Sequence, residues 1–200
     1  MISFEEDDST PKGPRAVDLP SLPKMVVDDQ VGAVIGKFLE LYFKLYDSDN
    51  REKTLETAYH EEAMMSMMAN LPRSDPWYDY YIPKSRNLRI DAVMNQPNRR
   101  EALLHQKRLH IMGFLDILPK TRHDLTSFTL DVPFATGRLV TFSVSGAFKE
   151  RAEKGKPPPQ IRHFSRMFVV VPQGDGLCIV NDSYFITTAT PEQVDVRLLM

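Results

Sequence analysis

From Asp28 to Tyr46 the apolar positions fall at Val31, Val34, Ile35, Phe38, Leu39, Tyr42, Leu45 and Tyr46. Steps of three and four put them on one face of a helix. Asp28 or Asp29 can cap its start, and Asp47-Ser48-Asp49-Asn50 ends it. Gly32 and Gly36 inside it each cost about 1 kcal/mol against alanine; either a strong stripe tolerates them or another backbone comes close. A second helix is expected from Arg51 to His60, with His60 at its carboxyl end, and a strand from Ala63 to Ala69. Between Leu71 and Asn98 the prolines at 72, 76, 83 and 97 break the periodicity, predicting a long loop with a short helix. A third helix is expected near Lys107–Leu118, with Leu109, Met112, Leu115 and Ile117 or Leu118 as its apolar contacts.

The carboxyl half changes period. Phe128, Leu130 and Val132 alternate with Thr129 and Asp131, and Val140, Phe142 and Val144 alternate with Thr141, Ser143 and Ser145. Phe164–Val171 and Leu177–Thr188 are two further β runs, and short turns between the runs predict an antiparallel meander. Helices followed by strands is the order of an α+β domain with its helices on one face of the sheet. If the even positions of the first run face inward, Asp131 faces outward, where a carboxylate serves an interface better than catalysis.

Composition narrows the classes. The chain has 200 residues, a formal net charge of −2, 42% hydrophobic and 26% charged residues, and a single cysteine. This suits a globular protein, excludes an intramolecular disulfide framework and leaves no overall basic footprint for nucleic acid. No apolar run reaches the ~18 residues of a membrane span, so no membrane partner is expected. Residues 1–26, acidic and then proline-rich, are expected to be a disordered lead-in without signal-peptide character. Residues 27–192 then form the domain and 193–200 a tail.

Motifs for a nucleophile elbow, a dinucleotide fold, a P-loop or a zinc-protease helix are absent. The histidines at 60, 105, 110, 123 and 163 are scattered, and Cys178, between Leu177 and Ile179, reads as a small buried hydrophobe. Met64, Met65, Met67 and Met68 read as core filling, with a soft binding surface as the alternative. The aromatic segment Trp77–Tyr81 either anchors its loop or forms an interface.

Several segments resemble one family. Lys37-Phe-Leu-Glu-Leu-Tyr-Phe-Lys-Leu-Tyr46-Asp-Ser, Leu118-Pro-Lys-Thr-Arg-His-Asp124, Phe142-Ser-Val-Ser-Gly-Ala-Phe-Lys-Glu150 and Gly176-Leu-Cys-Ile-Val-Asn-Asp182 are similar, in the same order, to the nuclear transport factor 2-like domain of TAP-type nuclear RNA export factors. The resemblance spans roughly Val27 to Glu192. It implies a strongly bent antiparallel β-sheet with three helices packed on its concave face, no enzymatic activity and no cofactor. It further implies a heterodimer, through the sheet face, with a small nuclear transport factor 2-related export cofactor, and a shallow pocket for the phenylalanine of nucleoporin Phe-Gly repeats. Asp131 matches the family's partner-pairing aspartate; Val31, Val34, Pro172 and Leu177 match the pocket walls. Location in the nucleus and at the nuclear pore, shuttling to the cytoplasm, follows, with any RNA contact indirect or weak. Two other readings stand beside it. One is an isomerase- or dehydratase-like enzyme or binder using the cone interior, with His105 or His110. The other is a regulatory paralogue that dimerises without bulk RNA export.

Overall fold

The computed structural model describes residues 29–174 and 176–190. The expected lead-in 1–26 and tail 193–200 lie outside them. Helix α1, Asp29–Tyr46, follows the apolar stripe and buries Ile35, Leu39, Tyr42, Phe43 and Tyr46. Nothing lies within 4 Å of a Cβ added at Gly32 or Gly36, so neither glycine admits a close backbone; the stripe simply tolerates them.

The second helix is shorter than its sequence suggests. Helix α2 covers only Arg51–Thr54, a 3₁₀ turn follows at Glu56–Ala58, and strand β1 runs Tyr59–Asn70. The chain leaves the helix because the Tyr59 side chain is buried in the sheet, its hydroxyl donating to Asp182 Oδ2 at 2.5 Å. His60 is therefore an exposed strand residue whose Nδ1 accepts from the Glu62 N–H, not a helix-end cation. Along β1 Ala63, Met65, Met67 and Ala69 face inward, while Met64 and Met68 stay exposed on the other face. The methionines thus divide between core and surface.

The proline-punctuated segment carries three short helices rather than one: α3 (Tyr78–Tyr81), α4 (Asp91–Met94) and α5 (Pro97–Ala102). Trp77 and Tyr81 anchor it. Both are buried, and the Trp77 indole donates to the Pro158 carbonyl at 2.8 Å. Beside them the Arg162 guanidinium, also buried, donates to both oxygens of Asp75 at 2.6 and 2.8 Å and to Glu150 at 2.6 Å. This two-carboxylate clamp fastens the loop across the end of the sheet.

Strand β2 (Leu104–Gln106) leads into helix α6, Arg108–Asp116. Its inward residues are Ile111, Met112, Phe114 and Leu115, and Leu109, expected as a core contact, is 80% exposed. The stripe is rotated because the helix must stack Phe114 on His105, with ring centroids 3.8 Å apart. The buried Arg51 guanidinium lies over the Tyr46 ring and donates to the carbonyls of Leu115 and Pro119 at the end of α6, where otherwise unpaired acceptors and the helix dipole both favour a cation.

Strands β3 (Thr121–Ala135), β4 (Val140–Glu150), β5 (Ile161–Gln173) and β6 (Gly176–Thr188) complete a six-stranded curved sheet in the order β2-β1-β6-β5-β4-β3. The meander β3–β6 is antiparallel, as the alternation predicts, and β1–β2 is also antiparallel; β1 joins β6 in parallel. The helices pack into the concavity, and one core runs from Ile35 to Ile186. The inward parity of β3 is broken twice, by register shifts after Asp124 and after Asp131. Phe128 and Val132 point inward, but Phe134 lies opposite Thr141 on the outer face.

Candidate docking surfaces

The outer face is organised in rows by register. One row runs Asp131, Ser143, Met167, Ser183, Ser66; the next runs Thr129, Ser145, Ser165, Phe185, Met68. Serines keep the backbone low, while methionines supply flexible apolar contact. Among the described residues no helix covers this surface. Met64, Met68, Phe134 and Met167 are exposed there, Met167 at 51%. Asp131 lies at the edge of the field, exposed as its parity predicts, and makes no ion pair among the described residues.

A groove of about 380 Å³ runs along α1. One wall is Val34, Lys37, Leu41 and Leu45; Thr57 and Ala58 with Gly176 and Leu177 form the other. Of the four pocket residues expected from sequence, Val34 (53% exposed) and Leu177 meet in this groove. Val31 packs half-buried on the core, and Pro172 is exposed opposite Leu177 in the β5–β6 ladder. They flank the groove without lining it. Lys37, Leu41 and Leu45 went unassigned by sequence, although Leu41 follows Val34 by seven positions on the same helical face.

The concave interior is filled. Arg166 is fully buried, donating to Asp182 Oδ1 at 2.8 Å and Oδ2 at 2.6 Å, and to the Tyr59 hydroxyl at 3.2 Å. Its guanidinium lies 4.5–5.1 Å from the ring centroids of Tyr42, Tyr46, Phe168 and Tyr184. Burial opposes its charge, but the Asp182 carboxylate more than offsets this and raises its pKa well above the ordinary value. Burial pushes the Tyr42 and Tyr59 phenols up, so both stay neutral. At the carboxyl end of α1, Asp47 accepts from Thr121 Oγ1, the His123 N–H and His123 Nδ1 at 2.6–2.8 Å. Burial would raise the Asp47 carboxyl, but the His123 hydrogen bond and charge hold it below its usual range; burial in turn lowers His123, a shift Asp47 only partly offsets.

A cone-interior enzyme would need a carboxylate or histidine free to reach a ligand. Asp182 is bound by Arg166 and Tyr59, His123 is enclosed by Phe43, Phe148 and Phe164, His105 lies stacked on Phe114, and His110 is exposed on α6.

A bent sheet wrapped round helices, with its interior locked by an arginine–aspartate pair and its outer face bare, is a nuclear transport factor 2-like scaffold. The family model for the NTF2 domain of nuclear RNA export factors matches residues 34–187, and the chain belongs to that family. It is 39% identical over 172 residues to nuclear RNA export factor 1 of Drosophila melanogaster, covering 83% of this chain and 25% of that protein. To nuclear RNA export factor 2 of Homo sapiens it is 35% identical over 161 residues, covering 78% and 25%. The chain therefore spans about a quarter of the length of these relatives. Among solved structures, the Mtr2–Mex67 M domain complex of C. albicans superposes with a TM-score of 0.68 at 27% identity, covering 80% of this chain and 97% of the other.

Proposed function

We propose that this chain is the adaptor part of an mRNA export receptor. It pairs through the outer sheet face with a small nuclear transport factor 2-related cofactor, meets nucleoporin Phe-Gly repeats at the α1 groove, and shuttles between nucleus and cytoplasm through the pore. The observation that carries this reading is the bare outer face, with Met64, Met68, Phe134 and Met167 exposed around a row of serines. Extended apolar surface of this kind marks protein-interaction sites. The C. albicans relative was crystallised as a complex of Mtr2 with the Mex67 M domain, which supports the same mode of pairing here. No bond-making is assigned to the chain: the buried carboxylates of Asp182 and Glu150 are held by Arg166 and Arg162.

In this reading Asp131 pairs with a cation of the partner at the rim of the sheet, fixing register. Val34 and Leu177 hold the phenylalanine, and Val31 and Pro172 lie beside the groove outside its lining. One buried phenylalanine contributes about 1.5–3 kcal/mol before the repeat's ordering cost. Single contacts are then weak, and transit relies on many repeats. The test is co-purification with the small cofactor. Asp131→Arg should weaken pairing by ~2–5 kcal/mol, enough to lose the complex on a column; full retention would remove Asp131 from the interface.

A further inference from the structure

The α1 groove is longer than one phenylalanine requires. Its lining on α1 continues from Val34 through Lys37 and Leu41 to Leu45, and Val34 to Leu41 alone spans roughly 10 Å at 1.5 Å per residue. Its volume of about 380 Å³ lies in the ~300–1,000 Å³ range of pockets that take whole small ligands rather than one side chain. Val34 and Leu41 are 53% and 51% exposed on the same face, so the groove has an apolar position at each end of that span. Lys37, between them, is the only charged residue on the lining among the described residues. A chain extended in the polyproline II conformation advances ~3.1 Å per residue with about three residues per turn, so side chains three residues apart share one face and match the separation of Val34 and Leu41.

We infer that the groove binds an extended peptide through two apolar side chains three residues apart, the first at Val34 and Leu177, the second at Leu41 and Ala58, with an acidic residue between them beside Lys37. This rests on the Phe-Gly reading of the first position and adds a second one that selects among repeats. Occupancy is continuous with the proposed pocket, and Lys37 sets the sign of the intervening charge.

The experiment titrates the isotopically labelled 200-residue chain by NMR with three synthetic peptides in a Gly-Ser background. One carries a single Phe-Gly. The second adds Asp and then Leu, so that Leu lies three residues after Phe. The third has the second's composition with Leu six residues away. The second peptide should bind about tenfold tighter than the other two, equivalent to about 1.4 kcal/mol. Leu41→Asn should abolish that advantage, bringing the second peptide down to the affinity of the single Phe-Gly peptide; both Val34 and Leu41 are exposed enough for substitution without unfolding. Val34→Asp should weaken all three peptides. If the single Phe-Gly peptide binds and responds to Val34→Asp but the second gains nothing, the second position is overturned alone. If the wild type binds no peptide, the Phe-Gly reading falls and takes the inference with it.

Discussion

At the residue scale, the buried titratable groups give the domain an acid-sensitive side. Asp47, His123 and His105 all have pKa values below their ordinary ones; for His105, burial and repulsion from His110 bring it down to about 4. These three groups therefore bind more protons in the unfolded chain than in the native one, and their contribution to stability falls as pH falls. Glu150 contributes in the opposite sense, because burial raises its carboxyl pKa. For His105 the window opens near the free imidazole value of ~6.5 and closes at about 4. Asp47 contributes lower, from the free aspartate value of ~3.9 downward. Urea midpoints should accordingly drop between pH 7 and pH 4, and His105→Gln should flatten the upper part of that decline. Identical pH profiles for variant and wild type would exclude His105 as a source. The Arg166–Asp182 pair acts differently. Truncating Asp182 strands a buried guanidinium, and breaking such pairs costs ~3–5 kcal/mol.

At the scale of elements, the bulges of β3 determine what meets what. Phe128 lies in the irregular stretch between Asp124 and Thr129 and folds its ring over Gly146 of β4, where an added Cβ would come within 2.6 Å of Phe128 Cδ1. The same ring packs on Phe43 and Phe164, so it has no free direction in which to yield. Gly146→Ala should destabilise the domain by ~1–3 kcal/mol through overpacking, seen as an earlier denaturant midpoint; an unmoved midpoint would mean that Phe128 relaxes freely. This part of the architecture was hidden in the sequence, because the alternation of Phe128, Leu130 and Val132 carries no mark of the bulge that turns Phe134 outward. Helix α1 was legible because its stripe and its polar stop are both local. The border of α2 and β1 was not, since Tyr59 is fixed by Asp182, 123 residues away. Of the candidate sites, the outward Asp131 followed from parity alone, and the meeting of Val34 with Leu177 followed from resemblance. Leu41 escaped because α1 by itself does not reveal that Thr57 and Ala58 face it across a groove.

At the scale of the whole molecule, the two proposed docking surfaces share only β6, at its first residues for the groove and further along it for the outer face. The outer face belongs to the sheet strands, and the groove to α1, the 3₁₀ turn and the first residues of β6. A charge placed at the centre of the sheet should therefore affect one surface only. Met167→Glu, at an exposed position in the middle of the serine row, should abolish co-purification with the cofactor while Phe-Gly peptide titrations stay unchanged. Loss of both would show that the surfaces are coupled through the core. The parallel seam between β1 and β6 joins the first strand to the last, and it also sets a timetable. At translation speeds of about 5–20 residues per second, a nascent chain carries β1 without its neighbour for roughly six to twenty-five seconds. Throughout that interval the edge of the Met-rich segment 64–68 that β6 will cover is unpaired, and an unpaired apolar strand edge is prone to mispairing.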